Sequence, residues 1–324
     1  MSLVNSAAPL RGTAFASPAT LARLGSGGAV TYGANGSQRT RLPDGRLHLN
    51  HGPMDLILQL WGEGGAVARA ECRALARFDQ ILHELCAELP ELRRWGGRPT
   101  GPIARVMAQA VAPFEAGFIT PMAAVAGAVA EDILRQIALP GIERAYVNNG
   151  GDIAVHLSPG SRMRCAIAGV AGASGRIRLD AESPVRGIAT SGWGGRSFSL
   201  GIADAVTVLA RTASMADAAA TVIANAVDLP DHCAITRRPA CDLHPDSDLG
   251  HRLVTVGVGA LTEAERQTAL GKGLVLAESL RQRGLIEGAA LALQGTVQIS
   301  GHMALHKEEQ RDEQVRGPQD RHPD

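Results

Sequence analysis

The run SMADAAATVIANAV, from Ser214 to Val227, is the segment that most restricts how this chain can fold. It reads as a helix in which nearly every side chain is small. Such a helix gains little burial unless neighbouring backbones come close to it. The composition points the same way. Aromatic residues are 3% of the chain and glycines number 38, so close backbone approach and tight turns fill the space that rings fill elsewhere.

Length and charge exclude several classes. A chain of 324 residues buries a substantial core, as one large domain or two intimate halves. Thirty-two basic and 32 acidic residues cancel, which gives no general attraction to nucleic acid or to an anionic membrane. The scarcity of aromatics also removes stacking platforms for single strands. No apolar run reaches the ~20 residues needed to span a bilayer. The N-terminus lacks the basic start and solid apolar block of an export signal. Cys72, Cys86, Cys165, Cys233 and Cys241 include no CxxC pair and fit reduced thiols. The expectation is a cytoplasmic protein with no nucleic-acid or membrane partner.

Residues 1–28, rich in Ser, Ala, Gly and Pro, read as a flexible arm, and 304–324 as a disordered tail. Between them lies one domain, 29–303. Two short strands flank Gly52-Pro53, and a long amphipathic helix runs from Ala66 to about Leu89. A second helix is expected from Pro121 to Ala138, N-capped by Thr120. Strands follow at Arg144 to Asn148, Ile153 to Leu157, Arg164 to Gly169 and Ala205 to Ala210. After the alanine helix come a strand at Leu253 to Val258, a helix from Thr262 to Arg283 and one final strand from Ala290 to Ile299. Strands mixed with a few long helices, without regular alternation, indicate an α+β layered fold.

Three motifs carry chemistry, and each has a structural counterpart reading. Asp217 and Thr221 share one helix face, where a carboxylate and a hydroxyl suit a magnesium ion that also holds phosphate oxygens. Ser214-x-x-Asp217 equally forms a capping box, with Asp217 favoured by the helix dipole. Asn149-Gly150-Gly151-Asp152 lets a backbone approach a ligand, and it is also the composition of a hairpin turn. Ala189-Thr190-Ser191-Gly192, followed by Trp193-Gly194-Gly195-Arg196, offers hydroxyls and a guanidinium to a phosphate or a flavin edge, or else makes a glycine-rich loop. His48 and His51, three apart in a strand setting, point to opposite faces and read as partly exposed side chains. The acids from Asp242 to Asp248 lack the glycine and terminal glutamate of a calcium loop. No dinucleotide, P-loop or nucleophile-elbow signature is present.

In order, VNNGGDI, IATSG and ADAAAT resemble the ApbE-type FAD:protein FMN transferase superfamily, whose members carry GGDI, ATSG and ADAxAT segments in that sequence. The likeness covers about Pro121 to Val227 and is nearest to a shorter branch of the superfamily, with segments similar to PMAAVAGAVAE and HPDSDLG. It implies an ApbE-like layered fold of mostly antiparallel sheet with long packed helices. It also implies FAD and Mg²⁺ as cofactors, with Asp217 and Thr221 as metal ligands. Asn149, Gly150, Gly151, Asp152, Thr190, Ser191 and Gly192 fall at the flavin-binding motifs.

The chain departs from the transferase pattern twice. The transferases carry His-x-Ile-Asp-Pro-x-Thr-Gly between ATSG and ADAxAT, where this chain reads SFSLGIADAVTVLA. Ala126 also stands where they have a helix lysine. The resemblance therefore implies a site for a small-molecule or nucleotide ligand and identifies no catalytic residue. FMN or phosphoryl transfer, a non-flavin reaction of small-molecule metabolism and a non-catalytic binding role all stay open. Close packing of alanine-rich helices is compatible with a homodimer.

Overall fold

The structure, a computed structural model, describes residues 30–33, 35–167 and 175–301. The expected arm and tail lie outside the described residues. The fold is a mixed α/β arrangement built on a ten-stranded sheet, and every strand pairing among the described residues is antiparallel. Its strands are β1 (Thr31–Tyr32), β2 (Gln38–Arg41), β3 (Leu47–His51), β4 (Met54–Gly62), β5 (Ile142–Asn149), β6 (Asp152–Leu157), β9 (Gly187–Ser191), β10 (Ala205–Ala210), β13 (Gly288–Leu293) and β14 (Thr296–Gly301), in that spatial order. Two hairpins stand apart from it, β7 (Arg162–Ile167) with β8 (Gly175–Asp180), and β11 (Ile235–Pro239) with β12 (Leu253–Val258).

Helices α1 (Gly64–Ala87), α2 (Leu89–Leu92), α3 (Pro102–Val111), α4 (Val125–Ile137), α5 (Ala213–Ala226), α6 (Ala240–Leu243) and α7 (Glu263–Gln282) are the α-helices of the described residues. The main core lies between the sheet and α1, α3, α4, α5 and α7. A smaller core, including Val155, Leu157, Ile188 and Leu209, lies on the other face under the β7–β8 hairpin. β10 and β13 are buried along their whole length, which fits their unbroken apolar sequences AVTVLA and GAALAL apart from Thr207. Among the described residues no helix is long and apolar enough to cross a membrane.

The alanine helix α5 is packed by backbone contact, as its sequence demands. A methyl on Gly127 of α4 would run into the backbone carbonyl of Ala213, and one on Gly187 of β9 would run into the backbone of Thr212. Two glycines thus let a helix and a strand reach the first turn of α5.

Four sequence expectations need correction. The capping residue of α5 is Thr212, whose hydroxyl accepts from the Met215 amide, so Ser214 and Asp217 do not form a capping box. The segment from Ala290 to Ile299 is a hairpin rather than one strand. Gln294 and Gly295 adopt positive φ between β13 and β14 and turn the chain. The helix expected from Pro121 starts as a 3₁₀ turn, Pro121–Ala124, and becomes α-helical at Val125. Thr120 does not cap it, because its hydroxyl donates to Asp248 instead. The first long helix ends at Ala87, and Pro90 lies inside the separate short helix α2.

Candidate functional site

The β6–β9 ladder is short, with Ile153 opposite Ile188 and Ala154 opposite Gly187. Beyond Ile153 the two strands no longer pair, and Asp152 uses its carboxylate to accept the Thr190 amide at 3.2 Å. The split opens into a cleft of roughly 710 Å³. Asn149, Gly150, Gly151, Asp152, Thr190, Ser191, Gly192, Asp217 and Thr221 all line it, so the three sequence motifs converge on one place.

The NGGD segment is at once a hairpin turn and a cleft wall. Asn149 pairs with Asp152, and Gly150 and Gly151 supply the positive φ values of a two-residue turn. The Asn148 side chain accepts the Gly151 amide at 2.8 Å and stiffens that turn. Asn149 is buried and bridges two elements. Its oxygen accepts the Asp55 amide at 3.3 Å, and its Nδ2 donates to the Ala126 carbonyl at 3.1 Å. It thereby ties the start of α4 to the sheet.

Asp217 projects from the second turn of α5 toward the first turn of α4. Its Oδ2 accepts the Gly127 amide at 2.9 Å. Burial holds the Asp217 carboxyl well above the usual carboxylate range, and the nearby Asp152 carboxylate adds to that. The amides of Gly127 and Ala126 pull the other way and do not prevail. Burial pushes Asp152 up to about 7, against the opposing bond from Thr190. Two acids from separate elements therefore share one weakly hydrated place, and the Asp152 charge opposes ionisation of Asp217. Thr221 stands one helical turn beyond Asp217 in the same wall.

Pro53, Met54, Met122, Val125, Val129, Ile153 and Ile188 form the apolar surface of the cleft, and no aromatic, histidine or lysine side chain lines it among the described residues. Thr207 was not singled out from the sequence. Its hydroxyl lies 2.8 Å from that of Thr190, and a lone threonine inside an apolar central strand was its one signal. Arg196 also lines the cleft, with its guanidinium against Gly150.

The other clusters lie elsewhere. His48 pairs with Asp55 at 2.5 Å while His51 faces Phe78, so the two histidines do not converge. The loop between α6 and β12 is fastened to Thr120 through Asp248 and does not line the cleft. Among the described residues no three His, Cys, Asp or Glu side chains gather as a metal site. The cleft's carboxyl groups among the described residues are those of Asp152 and Asp217, with the Thr221 hydroxyl one helical turn beyond the latter.

A family model described as AbpE bacteria matches residues 39–299. The chain is 40% identical over 136 residues to a UPF0280 protein of Methanopyrus kandleri, covering 42% of this chain and 54% of that one. It is 40% identical over 131 residues to a UPF0280 protein of Methanothrix thermoacetophila, covering 39% and 52%. The chain spans about half the length of the curated relatives it matches. Among solved structures, the apo flavinyl transferase ApbE of Pseudomonas stutzeri aligns over 78% of this chain and 92% of its own, at 14% identity and a TM-score of 0.38.

Proposed function

Because the chain belongs to the AbpE bacteria family, and so to the ApbE-like superfamily, we propose that its cleft binds a phosphate-bearing ligand, a flavin nucleotide, together with Mg²⁺. The observation that carries this reading is the convergence of Asp152 and Asp217, both buried, on one cleft. Two carboxyls whose pKa burial raises, one of them raised further by the charge of the other, are costly to ionise unless a cation joins them. The donor set fits a hard divalent ion. Asp217 and Thr221 would hold it, Asp152 would add charge beside it, and phosphate oxygens and water would complete its shell.

When bound, the ion supplies positive charge to the phosphate it touches. The residues around it do the positioning. The Gly150-Gly151 turn lets backbone lie against the ligand, and the hydroxyls of Thr190 and Ser191 offer hydrogen bonds. The apolar wall of Met54, Met122, Val125 and Val129 would take a ring system. Group transfer is not part of this proposal. Ser197 to Ala210, where the resemblance places a histidine, here forms a loop and β10, and among the described residues the cleft lining offers neither histidine nor lysine for proton transfer.

Titration of FAD against the protein, followed by flavin fluorescence with and without Mg²⁺, tests the reading. Saturable, Mg²⁺-dependent quenching in wild type that Asp217→Ala abolishes is the expected result. Its absence in wild type overturns the flavin assignment. A second reading, a phosphate-bearing ligand without flavin, is favoured by the lack of aromatic side chains in the cleft among the described residues. ADP-ribose competing as strongly as FAD would select it.

A further inference from the structure

One charged group in the cleft has no role in the metal–phosphate reading. The Arg196 guanidinium lies against Gly150, where a methyl would sit 2.7 Å from Nη1 and 3.7 Å from Cδ. Gly150 also holds φ +65, so both sterics and backbone reserve that position for glycine. The missing Cβ is the cradle in which the guanidinium rests. Arg196 lines the same cleft as Asp152 and Asp217, yet neither pairs with it, and it has no ion-pair partner among the described residues. Its side chain is carried by an exposed, glycine-rich loop that follows β9.

The cleft thus gathers two carboxyls, from β6 and α5, and a guanidinium that reaches it from the loop after β9 and lies against the β5–β6 turn. At roughly 710 Å³ it takes a ligand far larger than one phosphate. A ligand that brings a cation to the carboxylates carries negative charge, and its outer oxyanion meets a planar donor fork suited to two parallel hydrogen bonds. We propose that Arg196 is a specificity-determining residue of this cleft and selects ligands bearing a second oxyanion beyond the metal-bound phosphate. The proposal rests on the metal–phosphate reading and names which members of that ligand class bind.

Inorganic pyrophosphate and inorganic phosphate, titrated calorimetrically in Mg²⁺ buffer, are the probes. Wild type prefers pyrophosphate, and Arg196→Ala lowers pyrophosphate affinity by about tenfold while phosphate affinity changes by less than about threefold. Arg196→Lys falls between, since an ammonium keeps the charge without the fork. Mn²⁺ binding without anion, read by electron paramagnetic resonance, stays unchanged in Arg196→Ala and shows that the cleft is intact. An unaltered pyrophosphate-to-phosphate ratio in Arg196→Ala overturns the inference, as does an equal loss of both anions. Asp217→Ala separates the two proposals. Loss of both anions there, with the Arg196→Ala ratio unaltered, removes the arginine inference alone. Retention of both anions in Asp217→Ala removes the metal–phosphate reading, and the inference falls with it.

Discussion

The Asp217 carboxylate accepts a hydrogen bond from the backbone amide of Gly127, ninety residues before it in the chain, at 2.9 Å. Ala124, at the N-cap of α4, has no side chain able to satisfy the first amides of that helix. Asp217 does so from a neighbouring helix. It is therefore a cap, though not of its own helix, and it faces the cleft as well. Asparagine keeps the accepting oxygen and removes a buried acid that burial and the Asp152 charge both disfavour in its ionised form. Asp217→Asn is expected to unfold at or above the wild-type urea midpoint at pH 8, with Asp217→Ala about 1 kcal/mol below Asp217→Asn. Both lose any stabilisation by Mg²⁺. Equal destabilisation by the two variants would refute the capping role.

The sign of the pH dependence follows from Asp152. Its carboxyl titrates near 7 in the fold against an ordinary 3.8, so between those values the native state holds a proton that the unfolded chain has released. Stability contributed by Asp152 is present at acid pH and is lost as pH rises through about 7. The upward shift of Asp217 acts in the same direction. Metal requires the ionised acids, so stabilisation by Mg²⁺ grows over the same rise. Urea unfolding at pH 5 to 8, with and without Mg²⁺, should show opposite slopes, and Asp152→Asn should flatten both.

Gly127 and Gly271 give opposite results on substitution by alanine. The methyl of Gly127→Ala meets the backbone of Ala213, which no rotamer change relieves, and costs about 1–3 kcal/mol. Gly271, in α7, has open space around its missing Cβ, and Gly271→Ala gains up to about 1 kcal/mol from helix propensity. Two urea midpoints that shift in the same direction would contradict the packing account of α5.

Asn149→Ala leaves the Asp55 amide and the Ala126 carbonyl without their partner and is expected to cost about 1–3 kcal/mol. It also frees the start of α4 from the sheet, so amide exchange at Ala126 and Gly127 should accelerate more than exchange in β10. Uniform acceleration would mean a general loss of stability instead.

Much of the site was legible because its motifs are local. Asn149 to Asp152 reads as a two-residue turn from composition alone, and Asp217 and Thr221 share a face by helical spacing. The bond from Gly127 to Asp217 was not legible, since no local pattern announces a cap supplied ninety residues away. The turn at Gln294-Gly295 escaped because glutamine seldom takes positive φ, although Gly295 was a signal. Helix α3 begins at Gly101-Pro102, a start signal that stood in plain view, yet its short span lies between stronger elements. The convergence of β6, β9 and α5 on one cleft is a property of strand order. Strand order follows from long-range pairing that no single segment encodes.

The short β6–β9 ladder has a mechanical meaning. Strands β1 to β6 lie on one side of it and β9, β10, β13 and β14 on the other, so the sheet is sewn at that line by few stitches. The cleft opens along the same seam and takes residues from both sides, Asn149 and Asp152 from one, Thr190 and Asp217 from the other. A ligand seated there is a suture. Under the proposed function, it joins the two flanks of the sheet where the backbone joins them least, and the grip on that ligand becomes part of what holds the fold together.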